Sequence, residues 1–97
     1  MAGSVSTHVL DTAAGRPASG VAVSLSKGDR VVGTGTTDAD GRIRQLANGL
    51  EPGTYRLVFE LASPFFRRVT LDIEIGDGHH HIPLILSPYG IASYRGS

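Results

Sequence analysis

The chain has 97 residues, with nine Lys plus Arg against nine Asp plus Glu, so its formal net charge is zero, and it contains no cysteine. Neutrality removes the general electrostatic drive toward nucleic acid or an anionic lipid surface, and the missing thiols exclude a disulfide framework and thiolate chemistry. A chain this short must then be held by its core, by subunit contacts or by both, and its length predicts one domain over residues 1–97.

In chain order, the first predicted strand is Val5–Leu10, followed by a turn at Ala14-Gly15-Arg16-Pro17. Val21, Val23 and Leu25 then alternate with Ala22, Ser24 and Ser26, the period of a strand with one buried face. Further strands are predicted at Arg30–Thr36 and Arg42–Leu46, separated by the turn Asp38-Ala39-Asp40-Gly41. After Glu51-Pro52-Gly53, the residues Tyr55, Leu57, Phe59 and Leu61 form another alternating set. Val69, Leu71, Ile73 and Ile75 form the clearest one, where a slip of one residue would turn Arg68, Asp72 and Glu74 into the core. Gly76-Asp77-Gly78 reverses the chain into a strand at His80–Leu86, and Ile91–Tyr94 completes about eight strands, enough for a two-sheet β-sandwich. No stretch reads as an amphipathic helix, so the fold class is all-β with little or no helix. No basic segment followed by an apolar core opens the chain, no apolar run approaches the roughly 18 residues that span a bilayer, and the lack of cysteine suits a reducing compartment. The expectation is a soluble, cytoplasmic protein with neither a membrane nor a nucleic acid as partner.

The segment His79-His80-His81-Ile82-Pro83-Leu84-Ile85-Leu86 breaks the rule of one wet face. His80, Ile82, Leu84 and Leu86 share one side and His79, His81, Pro83 and Ile85 the other, which suggests that a second subunit covers the second face. His79 and His81 are expected to point toward that subunit surface, and His80 to lie nearer the core side or the strand's end. Because neighbours alternate faces, only two of the three histidines share a side, too few for a metal centre. A neutral imidazole acting as a base is the other chemistry open to them, since its unperturbed pKa lies near 6.5. Pro83 lacks a ladder donor and predicts an edge position or a bulge. The chain ends on Tyr89, Tyr94 and Arg95, side chains that gain from packing and from satisfied polar groups, so the terminus is expected to be built into a site.

The start Ser6-Thr7-His8-Val9-Leu10-Asp11-Thr12-Ala13-Ala14-Gly15-Arg16-Pro17-Ala18, the middle Thr37-Asp38-Ala39-Asp40-Gly41-Arg42, and the end from His79 to Ser97 together resemble the transthyretin-related 5-hydroxyisourate hydrolases. The most specific part is the terminal Tyr94-Arg95-Gly96-Ser97, which in that family separates the hydrolases from hormone-carrying transthyretins. The resemblance implies a transthyretin-like (prealbumin-like) sandwich, assembled as a homotetramer, a dimer of dimers, with active sites at the dimer–dimer interface. It implies hydrolytic opening of 5-hydroxyisourate, in urate degradation and purine catabolism, to 2-oxo-4-hydroxy-4-carboxy-5-ureidoimidazoline by direct water attack, with no cofactor and no metal.

Carried over by motif, the catalytic residues implied are His8, Arg42, His81 and Ser97, and those implied for substrate binding are Tyr94, Arg95, Gly96 and His79. Arg44 lies outside the motif and is secondary. A histidine, His81 or His8, would deprotonate the water, Arg42 would stabilise the developing oxyanion, and Ser97 with its α-carboxylate would hold the water or fix a histidine tautomer. Against the family pattern, His80 stands where tyrosine is usual, Ile91-Ala92-Ser93 replaces a tyrosine-serine-threonine sequence, and residues 60–68 leave no room for a small helix. The alternatives are a non-catalytic transthyretin-like carrier and a prealbumin-like binding or spacer module, neither of which needs His8, His81 and the terminal tetrapeptide in one chain.

Overall fold

A computed structural model describes residues 2–96; Met1 and Ser97, the latter among the expected catalytic residues, lie outside the described residues. Nine strands are present among the described residues: β1 (Gly3–Asp11), β2 (Arg16–Pro17), β3 (Ala22–Lys27), β4 (Arg30–Thr36), β5 (Arg42–Leu50), β6 (Gly53–Glu60), β7 (Arg68–Ile75), β8 (Gly78–Leu86) and β9 (Ile91–Ser93). The strand beyond the expected eight is β2, whose Arg16 and Pro17 were read as part of a turn but pair with Asp11 and Leu10 once the reversal is complete. No helix occurs among the described residues.

The strands form two sheets, one in the order β2-β1-β8-β9 with β5 also on β1, the other β4-β3-β6-β7. Period-two alternation decides which side chains lie between them. From the first sheet Val5, Val9, Ile82 and Leu84 are buried, and from the second Val23, Leu25, Tyr55, Leu57 and Phe59. Each such side chain contributes about 1.5–3 kcal/mol by leaving water, the main term available to a chain without cross-links. Thr7 shares the inner face, and its hydroxyl donates to the Ile82 carbonyl at 2.6 Å, so its polar atom is satisfied in the core. On β7 the alternating apolar residues Val69, Leu71 and Ile73 are only partly buried, because this strand is the open edge of its sheet.

The pairing that matters most for the site joins the two ends of the chain. β1 and β8 run parallel in unbroken register from Gly3 beside Gly78 to Asp11 beside Leu86. Pro83 therefore makes no bulge there, and β8 is flanked by β1 on one side and β9 on the other. The ladder to β9 covers only Leu84, Ile85 and Leu86. It stops where Pro83 has no N–H to offer; the Pro83 carbonyl instead accepts from the Ser93 hydroxyl at 2.8 Å, and the His81 carbonyl, two residues back on the same side, accepts from Gly96 N at 2.7 Å. The terminal aromatics are not packed as expected. Tyr94 is 56% exposed, and Tyr89, on the β8–β9 turn, is 77% exposed with its ring 6.0 Å from that of Phe65.

Candidate active site

The outward face of the first sheet gathers polar residues from both ends of the chain. Ser4, Ser6 and His8 alternate outward on β1, and the parallel register sets Ser4 beside His79, Ser6 beside His81 and His8 beside Pro83. On its other side His8 pairs with Arg42 of β5, so the two side chains are direct cross-strand neighbours. A bulged stretch of β5 between Ile43 and Ala47 follows, and Arg44 in it joins Ser6, Thr7, Arg42 and His81 around a cleft of about 180 Å³.

The turn that delivers Arg42 is fixed by its own sequence. Asp38 Oδ1 accepts from Asp40 N at 2.9 Å and from Arg42 N at 3.0 Å, and Gly41 N donates to the Asp38 carbonyl at 2.9 Å. These backbone donors, above all Arg42 N, hold the Asp38 carboxyl below its usual range. Gly41 takes φ +73° with the Val9 carbonyl and Pro17 pressed against the position where a Cβ would stand, so only glycine fits. Among the described residues neither Arg42 nor Arg44 is in an ion pair, and both guanidinium groups remain available to an electron-rich ligand.

His81 is half-buried, and burial first, then the positive charge of Arg42 and the neighbouring His8 and His79, push its pKa below the ordinary value of 6.5. It is thus kept neutral and able to accept a proton at neutral pH. Its Nδ1 lies 2.7 Å from Ser6 Oγ, which is also 2.7 Å from His79 Nε2, and His79 Nδ1 is 2.6 Å from Ser4 Oγ. Gly96 packs on the same ring: a Cβ there would come within 2.7 Å of His81 Cδ2, so glycine is what lets the terminal backbone approach. His80 points the other way, as expected, buried at 6% exposure with Gly76 N donating to its Nε2 at 3.4 Å and its Nδ1 3.3 Å from the Ser4 carbonyl.

Of the expected site residues, His8, Arg42, His79, His81 and Gly96 therefore come together on one sheet face. Tyr94 and Arg95 do not join them within a single protomer; they line an apolar groove with Leu71, Ile73, Ile75 and Ile82 at the open edge of the sandwich. Ser4 and Ser6 were not identified from the sequence. Their place at β1's outward positions is legible there, but their partners lie more than seventy residues away across a parallel pairing that no local pattern announces.

Residues 5–96 match the HIUase/Transthyretin family. The 5-hydroxyisourate hydrolase of Deinococcus radiodurans is 41% identical over 96% of this chain and 95% of its own length. The solved structure of Klebsiella pneumoniae 5-hydroxyisourate hydrolase superposes with a TM-score of 0.89 at 38% identity, covering 98% of this chain and 99% of that one. Sea bream transthyretin in complex with thyroxine superposes with a TM-score of 0.84 at 26% identity, over 95% of this chain and 93% of that one.

Proposed function

From the membership of this chain in the HIUase/transthyretin family, we propose that it hydrolyses 5-hydroxyisourate in urate degradation, with its chemistry carried by the histidine–arginine face of the first sheet. The relatives that match it at about 40% identity over nearly the full chain are hydrolases of that name, which favours the enzyme over a carrier or a spacer module. The observation that carries the residue assignment is His81, kept neutral beside Arg42, which makes no ion pair among the described residues, and its cross-strand neighbour His8.

Water attacks a ring carbonyl, losing a proton to His81; the carbonyl oxygen gains negative charge, which Arg42 and Arg44 stabilise; the ring nitrogen leaves as His81 returns the proton. His8, between Arg42 and Pro83, lies within the same face and orients the water or the substrate. No covalent intermediate is needed, and Ser97 and His79 serve as supporting groups.

The site is completed by further copies of the chain. A cleft of about 180 Å³ falls short of the roughly 300–1,000 Å³ of small-molecule sites, so one protomer offers a wall and not a pocket. The outward apolar Leu10 and Ile85 beside the polar cluster, and the half-covered edge groove lined by Tyr94 and Arg95, are surfaces that a homotetramer would bury. In such an assembly Tyr94 and Arg95 act on substrate across a subunit boundary. Residues 1–97 form one domain in each subunit, and its cysteine-free composition suits the cytoplasm.

The test is to generate 5-hydroxyisourate with urate oxidase and follow its ultraviolet decay. The protein is expected to accelerate that decay, and His81→Ala or Arg42→Ala to slow it by about 10²- to 10³-fold, the scale of a lost base or oxyanion donor. Decay at the spontaneous rate with correctly folded protein overturns the reading.

A further inference from the structure

We propose that Ser6 and His79, with Ser4, form a proton relay that carries the proton released in each turnover from His81 to solvent, an inference that rests on the hydrolase reading above. The reaction itself requires such an exit. As water opens the ring, a carbon–oxygen bond forms and the carbon–nitrogen bond breaks; one proton of the water ends on the departing nitrogen. The other is shed when the new carboxylic acid ionises, so one proton per turnover must leave the site.

The geometry offers one continuous path for it. Ser6 Oγ carries one hydrogen and two lone pairs and lies 2.7 Å from both His81 Nδ1 and His79 Nε2, so it can donate to one ring while accepting from the other. Two polarities make the path continuous. In the first, His81 Nδ1–H donates to Ser6, Ser6 donates to His79 Nε2, and His79 Nδ1–H donates to Ser4 Oγ, which leaves His81 Nε2 free to accept a proton from substrate. In the second, Ser4 donates to His79 Nδ1, His79 Nε2–H donates to Ser6, and Ser6 donates to His81 Nδ1, with the proton now on His81 Nε2. When His81 Nε2 takes up the carboxyl proton, three concerted shifts convert the first polarity into the second: Nδ1 of His81 to Ser6, Ser6 to His79, and His79 to Ser4. Ser4 passes its surplus proton to bulk water or a buffer base, and no charge remains in the chain. Once the product has left, His81 Nε2 gives its proton to water entering the open site while Ser4 takes one from solvent and the three shifts run in reverse, which restores the first polarity for the next turnover with one net proton released.

Burial and charge give the path its direction. Within one protomer Ser6 is 6% exposed whereas His79 is exposed, so the far end of the relay is its open end. The groups facing His81 are Arg42 and Arg44 from β5, His8 from β1, His79 on its own strand and the Gly96 backbone. Arg42 stands across from His8, and His79 lies at the opposite end of the row, beside Ser4, so the proton moves away from the arginine charge. Ser6 and His79 act through His81 and are positioning residues.

The test compares steady-state turnover of 5-hydroxyisourate in dilute and concentrated buffer. Wild-type kcat is expected to be insensitive to buffer concentration. Ser6→Ala and His79→Ala are each expected to lose about 10²-fold in kcat in dilute buffer, with KM unchanged and the loss reversed by added imidazole, as for other severed proton transfers. Ser6→Thr, which keeps the hydroxyl and suits a strand, is expected to stay near wild type. Wild-type kcat for Ser6→Ala in dilute buffer, or a loss that added base does not repair, overturns the relay. Inactive wild-type protein would overturn the hydrolase reading instead, and ring ¹⁵N spectra then test the relay alone: linked tautomers in His79 and His81 that Ser6→Ala uncouples support it, and spectra unchanged by that substitution overturn it.

Discussion

Arg42 has two effects on one side chain. In the proposed mechanism its guanidinium stabilises the developing oxyanion, and its charge is second only to burial in holding His81 below the usual imidazole range. The sign of the pH dependence follows. A base that must be neutral keeps its full rate down through pH 6.5 and loses it only as pH falls through the depressed value. Arg42→Gln removes one of the groups opposing protonation, so the acid limb of activity is expected to move up toward 6.5, and an NMR titration of His81 in the variant to move with it. An acid limb that stays in place would mean that Arg42 has no part in setting the value. Folding stability follows the same sign: what a neutral His81 contributes is fully present above the unfolded pKa near 6.5 and declines as pH falls from there through the folded value. The motif residues were legible because each is an unusual side chain within a specific phrase, whereas Ser4 and Ser6, ordinary residues for the outward face of a strand, carried no signal until β8 was placed beside them.

The short elements are set by single backbone features. β9 ends after Ser93 because Pro83 cannot donate, and the freed terminal segment then reaches His81 through Gly96. The turn Asp38–Gly41 fixes where β5 begins, and thereby puts Arg42 opposite His8. Gly41→Ala is expected to destabilise the fold by about 2–4 kcal/mol, combining a left-handed backbone with intrusion on the Val9 carbonyl, and to lower turnover in the protein that still folds by displacing Arg42. Chemical denaturation measures the first and the ultraviolet assay the second; a change below about 0.5 kcal/mol, the ordinary level for surface substitutions, would show that the turn relaxes freely. Strand positions were readable from alternation, but the end of β9 and the pairing of Arg16-Pro17 depend on which donors a neighbouring strand supplies.

At the scale of the molecule, the partial cleft and the half-covered edge groove give the proposed tetramer its purpose. Sedimentation is expected to give four copies of the chain, and specific activity to fall on dilution in step with dissociation, since one protomer lacks Tyr94 and Arg95 beside His81. Constant specific activity across dissociation would place the whole site within one protomer. The sequence by itself determined the all-β class and the inner faces of β3, β6, β7 and β8, because period-two alternation and turn chemistry are local, and it supplied the residue types of the proposed site because a motif travels with its neighbours. Only the tertiary structure decided that the first and eighth strands lie parallel in one register, which of His79, Ser6 and His81 touch, and that the terminal tyrosine and arginine turn toward a different groove. Those outcomes depend on contacts between residues far apart in the chain, and the free energy that selects such contacts comes from the whole core.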